Sequence, residues 1–120
     1  MTLSLQTINY PFWLEELVVP FTQAFSTDQD LSGCTATLKV RPSLDSATVI
    51  VTLVSPTDIT LGGTTGSFSV TWTSAHVSSL ISAGITTTNP AVYDMVVTPP
   101  SGAPQIPITG QIAPHRNVSR

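Results

Sequence analysis

The sequence has one cysteine, Cys34, and four basic side chains, Lys39, Arg41, Arg116 and Arg120. A single cysteine forms no internal disulfide, and alone it builds no metal site. Small secreted domains are commonly stapled by disulfides, so the expectation is maturation in a reducing cytoplasm or inside an assembly. A phosphate-tracking groove needs several cations on one face, so nucleic acid is not an expected partner. Attraction to an anionic membrane surface is not expected either. Long apolar runs are absent too, and a membrane helix needs roughly 20 apolar residues. No basic start followed by an apolar run opens the chain, so no signal peptide is expected. Asn117-Val118-Ser119 spells a glycosylation sequon, which without a secretory signal reads as chance.

The chemistry-bearing patterns are missing as well. There is no Gly-x-Ser-x-Gly, no phosphate loop, no metal-ligand spacing and no glycine-rich cofactor fingerprint. Cys34 stands between Gly33 and an alternating strand, the setting of a small buried hydrophobe. His76 sits near the start of a short helix, where exposure is expected, and His115 falls in the last residues. Glu15 and Glu16 are adjacent, so on a strand they point to opposite faces and share no substrate. Asp28 and Asp30 lie in a turn with too few oxygen ligands for calcium. Asp94 interrupts an apolar strand, and a structural role suits it better than catalysis. No cofactor, no metal and no enzymatic activity are therefore expected.

Charged residues make up 9% of the chain, against roughly 25% in an average soluble domain. Serine and threonine, 33 residues together, take their place, beside a hydrophobic share of 41% and a net charge of −3. That hydrophobic share is enough for one core.

The clearest segment is Gly66-Ser-Phe-Ser-Val-Thr-Trp-Thr73. Phe68, Val70 and Trp72 alternate with Ser67, Ser69, Thr71 and Thr73, as in a strand with one buried and one wet face. Similar alternation predicts strands at Thr35–Val40 and Ala91–Val97. In the first, Ala36, Leu38 and Val40 face in; in the second, Tyr93, Met95 and Val97 do. A strand is also expected from about Leu17 to Ala24, on an edge or bulged at Pro20. Ala47–Val54 reads as another, covered on both sides because Ile50 and Val54 make its second face apolar. Ile59–Leu61 is short. Gln105–Ala113 comes last, with Ile106, Ile108 and Ile112 inward and Pro107 suggesting an edge.

One short helix is expected over 75–82, capped by Ser74. Val77, Leu80 and Ile81 share its apolar face, and Gly84 stands where a left-handed C-terminal residue belongs. About seven short strands with turn signals between them predict an all-β fold, an Ig-like β-sandwich with this one helix. By segment, 1–16 is an N-terminal arm or edge strand, 17–113 the β-sandwich and 114–120 a polar tail. Tyr10-Pro-Phe-Trp13 reads either as a core plug or as an aromatic anchor for a neighbouring subunit. The candidate partner-contact residues are Tyr10, Phe12, Trp13, His115, Arg116 and Arg120.

Three stretches together resemble a known family. Asp30-Leu-Ser-Gly33 precedes a strand ending Leu38-Lys-Val-Arg41. Gly66–Thr73 precedes the helix. Tyr93-Asp-Met-Val-Val97 is followed by a Ser-Gly turn, Ile108-Thr-Gly110 and the polar end Asn117-Val-Ser-Arg120. Over about residues 17–120 this resembles the small Ig-like accessory proteins of tailed bacteriophages, including the N-terminal modules of baseplate upper proteins. The family's Arg-Gly-Asp-like start is replaced by Tyr10-Pro-Phe-Trp-Leu14. The resemblance implies a virion structural protein assembled in the host bacterial cytoplasm, placed at the tail, baseplate, fibre attachment or neck. Its expected partners are other virion proteins, and repeated copies of this chain. It implies no catalytic or cofactor residue. The rivals are a capsid decoration protein and a carbohydrate-binding host-recognition module, and the latter would need Trp13 and Trp72 exposed.

Overall fold

The computed structural model describes residues 5–15, 20–27 and 29–115, with backbone alone at Glu15 and His115. Among these residues nine strands form two sheets. In chain order they are β1 (Ile8–Asn9), β2 (Phe12–Glu15), β3 (Phe21–Ser26), β4 (Thr35–Arg41), β5 (Val51–Val54), β6 (Ile59–Leu61), β7 (Ser67–Trp72), β8 (Ala91–Thr98) and β9 (Gln105–His115). Helix α1 (Ser74–Ser82) joins β7 to β8. The larger sheet runs β1-β9-β8-β4-β5, with β2 also on β9, and the smaller runs β3-β7-β6. The all-β, two-sheet expectation therefore holds, with one helix.

The core is where the inward residues of both sheets meet. Ala36, Leu38 and Val40 from β4, Tyr93, Met95 and Val97 from β8, and Phe68, Val70 and Trp72 from β7 are all buried. Alternation put each of them on the inner face, and burial of such side chains is the main favourable term in folding. Trp72 is fully enclosed. Its indole packs edge-on to the rings of Phe12 and His76.

Helix α1 starts one residue earlier than expected, with Thr73 and not Ser74 as its N-cap. The Nδ1 of His76 accepts the Thr73 backbone N–H at 3.0 Å. His76 thus takes the place a Glu or Gln usually fills in a capping box, and it is half-buried rather than exposed. Val77 and Leu80 are buried, Ile81 is partly buried against the core, and Gly84 has the left-handed φ of 81° that the sequence called for.

Four strand expectations are corrected. The strand placed at Leu17–Ala24 is observed at Phe21–Ser26, and positions 17–19 lie outside the described residues. Of Ala47–Val54 only Val51–Val54 forms strand. It is the outer strand of its sheet, and among the described residues nothing covers its second face, so Val54 is 40% exposed. Ile106 does not face in; it is 38% exposed, whereas Ile108 and Ile112 are buried. The cause is Pro107. It lies where the β8–β9 register shifts, between Met95 opposite Ile108 and Val97 opposite Gln105, one residue before the pairing with β1 begins at Ile108. An extra residue there turns the side-chain phase over, and a proline without an N–H is tolerated at such a bulge.

The fourth correction concerns the ends. Pro114 and His115, expected in a tail, continue β9 and pair with Leu14 and Glu15. The described part of segment 1–16 is an edge strand, running parallel to β9 with a constant register from Ile8–Ile108 to Glu15–His115. Between β1 and β2 the pairing persists through a Tyr10 N–H to Thr109 carbonyl bond of 2.9 Å.

Tyr93 joins this edge to the core. Its hydroxyl donates to the Tyr10 carbonyl. Burial, with a smaller contribution from Tyr10, holds its phenol well above its ordinary pKa. In the unfolded chain that phenol titrates near pH 10, so above roughly that pH the unfolded state releases a proton the folded state keeps. Stability should then fall by about 1.4 kcal/mol per pH unit from this group. Urea midpoints of Tyr93→Phe, compared with the parent between roughly pH 8 and 11, should show a shallower alkaline decline. Parallel declines would remove Tyr93 as the cause.

Candidate assembly surface

The aromatic cluster is divided by the pleat of β2. Phe12 is 1% exposed and Trp13 is 47% exposed. Successive strand residues point to opposite faces, so Phe12 fills the core as a plug would, and Trp13 stands at the surface, where an anchor for a neighbouring subunit would have to be. Phe12 leaves the partner-contact set, because it has no surface to offer. Tyr10 is partly buried, with its ring 5.0 Å from Phe12 and 5.0 Å from Phe25. Trp13 stands opposite Ala113 on β9, and His115 is two positions further along that strand. The structure therefore brings the Trp13 and His115 positions to one sheet edge. Arg116 and Arg120 lie outside the described residues.

Two broad faces remain. On the smaller sheet the outward positions are Thr22, Ala24 and Ser26 on β3, facing Thr71, Ser69 and Ser67 on β7. The Thr22 and Thr71 hydroxyls are 2.8 Å apart. No charged residue occupies this array. Short hydroxyl side chains lose little rotamer entropy when covered, unlike Lys or Glu, so such a face is cheap to bury against a neighbour. On the larger sheet Val54, Thr37 and Val96 form one outward row, and Lys39 and Asp94 stand opposite one another in the next.

Cys34 lies at one end of the sandwich between two recesses. One, of about 150 Å³, is lined by Gln29, Asp30, Ser32, Pro99 and Pro100 beside the cysteine; the other, of about 310 Å³, by Thr35, Ser55, Pro56, Thr60 and Leu61. Burial, and secondarily the Asp30 carboxylate, push the Cys34 thiol up. A raised pKa means less thiolate, the reacting form, at neutral pH. Iodoacetamide should therefore alkylate Cys34 more slowly than free cysteine at pH 7–8. Asp30→Asn, which keeps the side-chain oxygen that accepts the Ser32 N–H, should speed the reaction. An unchanged rate would show that Asp30's charge does not act on the thiol.

Among the described residues no group of three or more His, Cys, Asp or Glu could hold a metal ion, and no helix is long and apolar enough to cross a membrane. Comparison with protein-family models found no match, and comparison with curated proteins found none.

Proposed function

We propose that the chain is a non-enzymatic structural module of a tailed-phage particle, a protein–protein adaptor at the tail, baseplate, fibre attachment or neck. One observation carries this reading: most of the described residues of the resemblance serve the frame. Asp30 accepts the Ser32 N–H at 2.8 Å, Leu31 is buried and Gly33 turns at φ 75°. Tyr93 holds the N-terminal edge through its hydroxyl, and Gly110 lets that edge approach. A chain whose distinctive residues build a scaffold, and whose faces are cheap to cover, suits repeated contacts better than turnover. The strand order supports the Ig-like reading. A β3-β7-β6 sheet against β9-β8-β4-β5 is the connectivity of the BED and GFCC′ sheets of immunoglobulin domains. The likeness is one of connectivity, without the Trp on β4 or the intersheet disulfide of antibody domains.

The expected partners are other virion structural proteins and repeated copies of the chain, and the expected location is the particle. The reading is tested by mass spectrometry of purified particles, together with the mass of the protein in solution alone and with candidate virion proteins. Presence in particles and a stable complex are expected. A monomer that binds glycans and is absent from particles would overturn the proposal in favour of host recognition. That rival has Trp13 to stand on, since Trp72 is fully buried. Trimming residues 1–13 is no clean test of contact, because it removes Phe12 from the core. Trp13→Ser is the better variant.

A further inference from the structure

Lys39 and Arg41 are two apart on β4 and therefore on one face of the strand. They are the only basic residues among the described ones. Both line a small cavity of about 40 Å³ on the outer face of the larger sheet, with Ser43, Leu44, Val92, Tyr93 and Asp94 completing its wall. A chain of net charge −3 has thus gathered its described cations at one spot.

Three features of this spot point to a ligand. The Nε of Arg41 is buried and has no hydrogen-bond partner. A donor removed from water without an acceptor is costly, so the guanidinium gains by turning outward toward an oxygen that enters the cavity. Two cations against the Asp94 carboxylate leave one positive charge, which matches a single carboxylate and falls short of a phosphate dianion. The volume fits as well, since one water needs roughly 10–15 Å³ on this measure and a carboxylate has three heavy atoms. Beside the cavity Leu44 is 84% exposed, the most exposed large apolar side chain described. An apolar group next to an unsatisfied cation is the arrangement a peptide segment meets with an acidic residue flanked by an apolar one.

We propose that this cavity is a docking site for a protein segment presenting a Glu or Asp carboxylate to Arg41 and Lys39, with a neighbouring apolar side chain on Leu44 and Val92. Turned outward, the guanidinium donates from Nε and a terminal nitrogen to the two carboxylate oxygens, a two-point geometry that lysine cannot copy. This deepens the assembly reading by naming the chemistry of the partner, and it rests on that reading only for the partner being a virion protein.

The test uses the whole protein, labelled with ¹⁵N, and follows the Arg41 Nε–H resonance. The probes are the peptide acetyl-Leu-Glu-Leu-amide, its acetyl-Leu-Gln-Leu-amide counterpart and inorganic phosphate. The Glu peptide should shift the resonance saturably and bind roughly tenfold or more tightly than the Gln peptide. Arg41→Lys should lose about the same factor at an unchanged melting temperature. If that variant does not fold, Lys39→Gln and Leu44→Ser, both at exposed positions, should each weaken the Glu peptide severalfold. Equal binding of the Gln peptide, no shift with any probe, or phosphate acting as strongly as the Glu peptide (an adventitious ion only) would each overturn the proposal. Sedimentation over a concentration series completes the test. Self-association abolished by Arg41→Lys would place a second copy in the site and overturn it too. None of these readouts requires a particle, so failure here is separable from failure of the virion reading.

Discussion

Phe12→Ala should be among the most destabilising single substitutions in this protein. Phe12 is 1% exposed, and its ring centroid lies 5.0 Å from Tyr10, 5.2 Å from Trp72, 5.3 Å from Tyr93 and 6.4 Å from Phe25. It therefore joins the N-terminal edge to both sheets, since Trp72 and Phe25 belong to the smaller and Tyr93 to the larger. Removing the ring forfeits its transfer energy and leaves a cavity walled by other rings, which cannot collapse without losing their own edge-to-face geometry. The cost should be about 4 kcal/mol, a large share of a total of about 5–15 kcal/mol for a domain. At roughly 4 °C per kcal/mol for a chain of this size, melting should fall by about 15 °C. Trp13→Ser, one residue on, should cost no more than about 1 kcal/mol, because half of that ring is already in water. Urea unfolding of both variants checks the pair. A Phe12→Ala midpoint close to the parent's would mean that the edge is not part of the cooperative unit.

This contrast also shows what could be read from the residues alone. The pleat rule is local, so β4, β7 and β8 were legible, the first two from unbroken alternation and β8 from Tyr93, Met95 and Val97, each with its buried set on the predicted face. The helix was legible for the same reason, from the spacing of Val77, Leu80 and Ile81 and the stop at Gly84. What stayed hidden depended on partners distant in sequence. Ala47 and Val49 share the inward phase of Val51 and Leu53, as one long strand would have it, yet only Val51–Val54 finds a place on β4. Pro107 suits an edge or a bulge equally well, and only the register against β8 shows the bulge. The parallel pairing of residues 8–15 with a strand one hundred positions later leaves no trace in local pattern. Thr73-x-x-His76 was missed because a capping box is ordinarily recognised by its Glu or Gln. The partner-contact candidates fared unevenly for the same reason. Composition marked an aromatic cluster, but only the register separated Phe12 from Trp13. The Arg41 cavity was partly legible, since i, i+2 cations on a strand share a face, but the unsatisfied Nε was not.

Gly110→Ala should cost about 2–3 kcal/mol, more than the addition of one methyl group suggests. Gly110 has a φ of 154°, and a Cβ there would lie 2.8 Å from the Tyr10 carbonyl oxygen and 3.1 Å from its carbon. Those are backbone atoms, so no rotamer change clears them. The edge strand must move, or Gly110 must. If the edge moves, Tyr93 loses the acceptor of its buried hydroxyl and the Tyr10 N–H loses its bond to Thr109. Gly84→Ala provides the reference. Its φ is also positive, at 81°, but nothing lies within 4 Å of the added Cβ, so backbone strain alone, about 1 kcal/mol, should be seen. The excess at Gly110 measures the close approach of the N-terminal edge to β9. Amide exchange at Tyr10 should quicken in Gly110→Ala and not in Gly84→Ala. Equal costs and unchanged exchange would mean that the edge lies loosely on the sandwich. In that case Trp13, carried on the same edge, would not be held at a fixed place on the surface, and its case as an anchor for a neighbouring subunit would lose its physical basis.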